Sequence, residues 1–435
     1  MTIIYIVLTL IAILCYLKKK HLSFLLCYVA LMTDLFMLDT IGSSLRGSDL
    51  CFFMNFVLLP VAIKRRNRER INDKMINRII KLFIGFIIFE FFYTILIGAD
   101  TVGYALKVIR IPLMFLVYYP FSTIPLECYK RFLKIMLWIT VLQGVLFLLQ
   151  FIGINLLAGR FDNESFAFSF ALNIPTLLYF YTLFCLDAKY VQKYKYLLLA
   201  FFLVILLLTF VRALIISVLL SIVIYIVMVR GLKRSMTIII AMLVVAPIAL
   251  NVMEKKSSVS GSGHSTTEEL KLLFSGIDNL RYLADDAGSS VFRLAMLIER
   301  CDYLVSNPEY LLFGVGAIHE DSPNCYNRFT FSLGTRNEGR YWGKCLIESG
   351  DITWVPITLR YGLVGVVIHI SIILLVVRLA RKRKDVLRIL FPLLIMFFIK
   401  SFDGPLFERP FPYVELSIYL SLFARCYTEK KELSI

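Results

Sequence analysis

Residues 197–229 read LLLAFFLVILLLTFVRALIISVLLSIVIYIVMV, an apolar run with a single charge, Arg212, and basic clusters at both ends (residues 189–195 and 230–234). As one helix this run would be about 50 Å long, well beyond a hydrocarbon core of roughly 30 Å. Two shorter helices folding back at Thr209–Arg212 fit the bilayer and return both basic clusters to one side. Arg212 then stands at the outer tip of a hairpin. Inside lipid the backbone amides have no water to bond, so each run must satisfy its own hydrogen bonds as a helix. Barrel strands would alternate apolar and polar residues, whereas these positions are apolar all round. The stretch predicts an all-α integral membrane protein.

The rest of the chain repeats the pattern. Of its 435 residues, 59% are hydrophobic and 18% charged, and the mean hydropathy is +0.77. The net charge of +16 lies in short clusters at residues 18–20, 64–81, 130–134, 189–195, 230–234, 378–388 and 425–431. Such clusters mark cytoplasmic loops and not a nucleic-acid surface, so each intervening apolar stretch crosses an even number of times. The stretch 22–63 divides at Asp39–Ser48, 82–122 near Asp100–Gly103, and 133–186 at Ala158–Glu164. With runs at 2–17, 236–252, 352–377, 389–401 and 412–424, the expectation is about thirteen transmembrane helices, in a range of about 12–14. The first run has no basic residues before it and no small-residue cleavage site, so it reads as an uncleaved helix with its N-terminus outside. Residues 1–252 are assigned ten helices, and residues 351–435 three helices and a short cytoplasmic tail. Between helices ten and eleven lies one large extracytoplasmic loop, residues 253–350.

That loop opens with a Ser- and Gly-rich lead-in, residues 254–269. Residues 289–306 form its best amphipathic helix, with Ser290 able to cap one end and Asn307-Pro308 stopping the other. Leu294, Leu297, Ile298, Cys301, Leu304 and Val305 recur at helical spacing as one apolar face, and Arg293 and Arg300 share nearly one stripe. The helix is expected to lie across the mouth of the membrane bundle. Phe313-Gly314-Val315-Gly316-Ala317 reads as a tight turn. The remainder carries Tyr326, Arg328, Arg336, Arg340, Tyr341 and Trp342, a composition that suits a sugar-lined cleft or, equally, a plain extracellular subdomain. Cys301, Cys325 and Cys345 lie in a compartment that permits a disulfide. No Cys-x-x-Cys spacing supports a zinc or redox site, and no metal is expected.

Arginines on the outer side are the main chemical feature: Arg212 at the hairpin tip and Arg293 on the loop helix, with Lys107 and Arg110 in the outer half of the fifth helix. A planar guanidinium fork donates paired hydrogen bonds to phosphate oxygens and stays charged, which suits pyrophosphate; an arginine snorkelling to headgroups is the alternative. Intramembrane charges are few, namely Asp34, Glu90, Lys107, Arg110 and Lys400. Asp351, where the loop re-enters the membrane, is either a helix N-cap or a catalytic carboxylate.

Three stretches together resemble the O-antigen polymerase and O-antigen ligase superfamily. They are LTFVRAL (208–214), SSVFRLAMLIERCDYLVSNPEYLLFGVGA (289–317) and DITWVPITLRYGLVG (351–365). Val211 stands where the first motif usually has Ser. The resemblance covers roughly residues 195–380, and implies glycan transfer from an undecaprenyl-pyrophosphate carrier on the outer face of a bacterial inner membrane. It implies that Arg212 and Arg293 hold the pyrophosphate and that Asp351 serves the acceptor hydroxyl. Lys107, Arg110, Arg300, Arg336, Arg340 and Trp342 are the substrate-binding candidates. No cofactor is implied; the expected partners are the lipid-linked oligosaccharide, membrane lipids and a chain-length regulator protein, with no nucleic acid. Ligases of this superfamily usually carry a His-Asn pair at the re-entry junction. Gly350-Asp351-Ile352 stands there instead, which favours the polymerase branch over the ligase. A lipid-linked oligosaccharide flippase is the alternative from another class.

Overall fold

The computed structural model describes residues 2–32, 47–71, 73–150, 154, 192–208, 219–220, 223–224, 227, 289–329, 331, 333, 347, 352–382, 398–399, 401–402 and 407–429. The helices of these residues are α1 (Thr2–Leu17), α2 (His21–Met32), α3 (Gly47–Glu69), α4 (Lys74–Leu96), α5 (Val102–Leu113), α6 (Tyr118–Ser122) and α7 (Leu126–Gln150), then α8 (Lys195–Leu208), α9 (Ser289–Ser306), α10 (Pro323–Arg328), α11 (Trp354–Lys382) and α12 (Pro410–Glu429). Among the described residues, five stretches are long and apolar enough to cross a membrane: Gly47–Glu69, Lys74–Leu96, Val102–Ser122, Leu126–Leu149 and Trp354–Leu375. The chain is an all-α membrane protein.

Local chemistry explains the boundaries. The Val102–Ser122 rod joins α5 to α6 through a tighter 3-10 turn at Met114–Val117. It follows Pro112, which has no amide to donate to the preceding turn. Helix α3 runs on through Lys64, Arg65, Arg66 and Arg68 to Glu69, and α4 begins at Lys74. The limits expected near residues 63 and 82 are therefore corrected outward by about two turns. Lys and Arg are good helix formers with long stems that reach the interface, so an apolar run marks the bilayer and not the helix end.

Residues of the 64–81 and 425–431 clusters meet at one end of the bundle, beside the end of α1 and the start of α7. Arg65 donates to the carbonyls of Tyr16 (2.9 Å) and Leu17 (3.0 Å), next to the α1–α2 turn. Arg66 bonds Asp73 at 2.6 Å and also the Ser122 hydroxyl. The Tyr118 hydroxyl donates to the same Asp73 carboxylate. Arg425 donates to the Ser122 carbonyl (2.7 Å) and pairs with Glu69, and Glu429 accepts from the Leu126 amide at 3.3 Å. Both Arg66 and Asp73 are buried, so this network ties α3, α4, α6 and α12 through hydrogen bonds in low dielectric.

The other end of α4 carries the described part of the large loop. Asp100 accepts from the His319 amide (3.0 Å) and the Ser322 hydroxyl (2.6 Å), and the Asn324 side chain donates to the Ala99 carbonyl (3.1 Å). Cys325 is fully buried in the small core beneath, with Leu304, Val315 and Phe329, and burial pushes its thiol up to about 12. Cys301 is exposed. A polar maleimide at about pH 8 is expected to modify Cys301 and spare Cys325 until the protein unfolds, because the thiolate is the nucleophile. Peptide mass spectrometry reads the outcome, and rapid labelling of Cys325 in the folded protein would contradict the packing.

Candidate functional site at a broken helix

Gly362 interrupts α11 within Leu359-Arg360-Tyr361-Gly362-Leu363-Val364-Gly365, at φ 59° and ψ −161°. Side chains are essentially excluded from that backbone region, so glycine is required. A break inside a membrane helix strands carbonyls on one side and amides on the other, and lipid can satisfy neither. Residues 311–316 satisfy both. The amides of Val315 and Gly316 donate to the carbonyls of Leu359 (2.9 Å) and Arg360 (3.1 Å), and the amides of Leu363 and Val364 donate to the carbonyls of Leu311 and Leu312 (both 3.0 Å).

The Gly-x-Gly segment is thus an insert that completes the broken helix, where sequence alone suggested a tight turn. The fit is close: a Cβ on Gly314 would lie 2.4 Å from the Arg360 carbonyl, and one on Gly362 would lie 2.5 Å from the Gly314 amide nitrogen. The amides of residues 314–318 are all engaged, those of Gly314 and Ile318 with the carbonyls of Tyr310 and Gly316 and that of Ala317 with the Thr94 hydroxyl at 2.7 Å. The glycines therefore offer no anion cradle.

Helix α4 backs the junction. The Phe89 and Tyr93 rings pack on Phe313 at 5.1 and 5.9 Å, the Phe86 ring meets Tyr361 at 6.2 Å, and the Tyr93 hydroxyl donates to the Gly314 carbonyl at 3.4 Å. On the far side, the Arg360 Nε donates to the Ile318 carbonyl at 3.0 Å. At its start, α11 is tied to the turn before α12. The Thr353 amide donates to the Ser401 carbonyl (3.1 Å) and the Trp354 indole to the Ser401 hydroxyl (2.8 Å). Helix α11 begins at Trp354, directly after Thr353.

Helix α9 has the bounds expected from sequence, Ser289–Ser306, but packs through a face that coincides only in part with the expected stripe, at Leu297, Ile298 and Leu304. Ala295, Met296, Arg300 and Leu304 are buried, whereas Leu294 and Val305 are 37% and 69% exposed and Cys301 is exposed as well. Periodicity finds an apolar stripe; next to a bilayer, lipid is as good a destination for it as protein. The buried face accommodates Arg300 because Glu299 accepts from its guanidinium (2.7 Å) and the Phe331 ring lies 4.2 Å beneath it.

Of the sequence-derived candidates, Arg300 has no exposed surface and Arg293 is half-buried near the start of α9. Arg110 pairs with Asp49, and the exposed Lys107 lies over the Tyr104 ring at 4.8 Å. Arg212, Arg336, Arg340, Trp342 and Asp351 lie outside the described residues. The structure brings Arg293 and Arg300 to the α9–α11 unit, and leaves Lys107 and Arg110 on α5. Sequence reasoning missed Arg360, Asp100 and the role of Gly362. The signal for the break was present as a Gly flanked by Tyr and Leu inside an apolar span. In sequence Glu90 is one of the few intramembrane charges. It has no exposed surface, and neither carboxylate oxygen has a hydrogen-bond partner among the described residues. Comparison with protein-family models gives no match, and neither does comparison with curated proteins.

Proposed function

We propose that the protein is a polymerase of lipid-linked oligosaccharide repeat units, built on about thirteen membrane helices and working on the outer face of a bacterial inner membrane. One observation carries the reading. Two of the stretches that resemble the superfamily, 289–317 and 351–365, are separate in sequence yet meet in one unit: α9 packs on α11, and residues 311–316 fill the break at Gly362. Motifs that serve one active site have reason to be assembled in this way.

The reaction joins an acceptor hydroxyl to the anomeric carbon of a sugar held on undecaprenyl pyrophosphate. The new C–O bond forms as the bond to pyrophosphate breaks, and the hydroxyl proton leaves. Arg212 and Arg293 hold the leaving group and neutralise its developing charge. Asp351 takes or orients the hydroxyl proton. Arg336, Arg340 and Trp342 in the loop offer hydrogen bonds and a ring face to the sugars. Neither a metal nor a cofactor enters this scheme.

The test is incubation of purified protein with lipid-linked repeat units. Lengthened glycans support polymerisation; transfer to a different lipid acceptor makes the protein a ligase. A specific observation favours the flippase as a second reading, since discontinuous helices recur in transporters. Here the break is filled by the protein's own chain. Bilayer crossing without lengthening would nonetheless establish transport.

Arg293 gives a sharper result. Arg293→Ala and Arg293→Lys are both expected to lower donor affinity, the alanine variant by about ten- to a hundredfold, the equivalent of one charge-assisted hydrogen bond of roughly 1.5–3 kcal/mol. Lysine fails because a point charge does not reproduce bidentate phosphate binding. Normal glycan ladders from both variants would remove Arg293 from the site.

A further inference from the structure

We propose that Glu90 is a proton-binding site in the membrane interior, set against the break in α11 and sealed from outer water by residues 311–316. Phe86, Glu90 and Thr94 recur every four residues and so lie in one row along α4. The row is fixed at both ends: the Phe86 ring meets Tyr361, and the Thr94 hydroxyl accepts from the Ala317 amide at 2.7 Å. Glu90 falls between them, level with the junction. It has no exposed surface, and neither oxygen has a hydrogen-bond partner among the described residues.

The titratable and charged groups on the elements around α4 leave Glu90 without an ion-pair partner among the described residues. From α11 these are Arg360, which donates to the Ile318 carbonyl, Tyr361 and His369. From the loop they are Glu309, Tyr310 and Arg328, whose guanidinium lies over the Tyr310 ring at 4.5 Å. From α5 they are Lys107, over Tyr104, and Arg110, paired with Asp49. Tyr93, on α4 itself, bonds the Gly314 carbonyl. A bare carboxylate there is costly, whereas a carboxyl that has bound a proton carries no net charge.

With the 311–316 segment seated, Glu90 holds its proton. Where a substitution unseats the segment, water enters and the carboxyl passes the proton to it, leaving a carboxylate and a hydronium ion. The site does not depend on glycan transfer. It is tested on the full chain in native membranes with dicyclohexylcarbodiimide, an apolar reagent that adds to protonated carboxyls in apolar surroundings. The expected result is an adduct at Glu90 near neutral pH, absent in Glu90→Gln and not formed by a water-soluble carbodiimide. In Gly314→Ala, where the segment fits poorly, the water-soluble reagent is expected to reach Glu90, with labelling falling as pH rises. No adduct in the folded wild-type protein would overturn the proposal. Labelling that sodium or lithium ions suppress at constant pH would overturn it as well, by assigning the carboxyl to an alkali cation.

Discussion

Asp73→Ala is expected to lower the unfolding free energy by about 3–5 kcal/mol, the usual cost of removing one partner from a buried ion pair. Asp73 accepts from Arg66 at 2.6 Å and from the Tyr118 hydroxyl, and the Arg66 and Asp73 side chains are only 8% and 4% exposed. Alanine leaves the Arg66 charge in the interior with the Ser122 hydroxyl and the Tyr118 and Tyr119 ring faces as its remaining partners. Asp73→Asn keeps an acceptor oxygen and loses the charge, so its effect is expected to be smaller. Replacing Arg66 with Met in the alanine background should recover much of the loss, because the stranded charge is then gone. Thermal unfolding in detergent micelles ranks the variants. Parent-like stability of Asp73→Ala would show that the pair does not hold α3, α4 and α6 together.

Gly362→Ala is expected to unseat the 311–316 segment. The backbone there has φ 59° and ψ −161°, and forcing a side chain into that region costs roughly 1–3 kcal/mol before any clash. The clash is with backbone, since a Cβ would lie 2.5 Å from both the Gly314 nitrogen and the Leu312 oxygen, and neither can rotate away. Gly314→Ala strikes the same junction from the other side. The two substitutions together are expected to cost less than their sum, because either one breaks the same docking. Gly85→Ala is the control: nothing lies within 4 Å of its Cβ, and alanine in the middle of α4 is expected to be neutral or to stabilise by up to about 1 kcal/mol. Hydrogen exchange at Val315, Gly316, Leu363 and Val364 is the readout. Unchanged protection at these amides in Gly362→Ala would mean that the break is held by something other than the insert.

Sequence was most informative where the bilayer itself dictates the answer. Long apolar runs have to be helices in lipid, and α1, α2, α4 and α5 begin or end close to where hydropathy and charge placed them, whereas α7 spans Leu126–Gln150 and takes in the 130–134 cluster expected to lie outside it. The bounds of the loop helix α9 were legible, because stop signals are local and Asn307-Pro308 ends it; Ser290, expected as its cap, lies inside the helix. Its packing face was legible only in part. An apolar stripe has two destinations beside a membrane, and only the fold shows that Met296, Arg300 and Leu304 turn toward protein while Leu294 and Val305 turn away. Arginine 300 looked like a substrate ligand for the same reason, since nothing local reveals that Glu299 and Phe331 neutralise and cover it.

The sequence by itself determined the class of protein and the positions of most described helices. Both follow from composition, period and charge along the chain. Only the tertiary structure decided that α11 is broken, that Gly314 and Gly362 face each other across the break, and that Asp100 and Thr94 anchor the loop onto α4. Each of these contacts joins residues distant in sequence, Thr94 and Ala317 by 223 positions and Asp100 and Ser322 by 222. A broken membrane helix is stable only when another part of the chain supplies its missing hydrogen bonds, and which part does so is settled by packing.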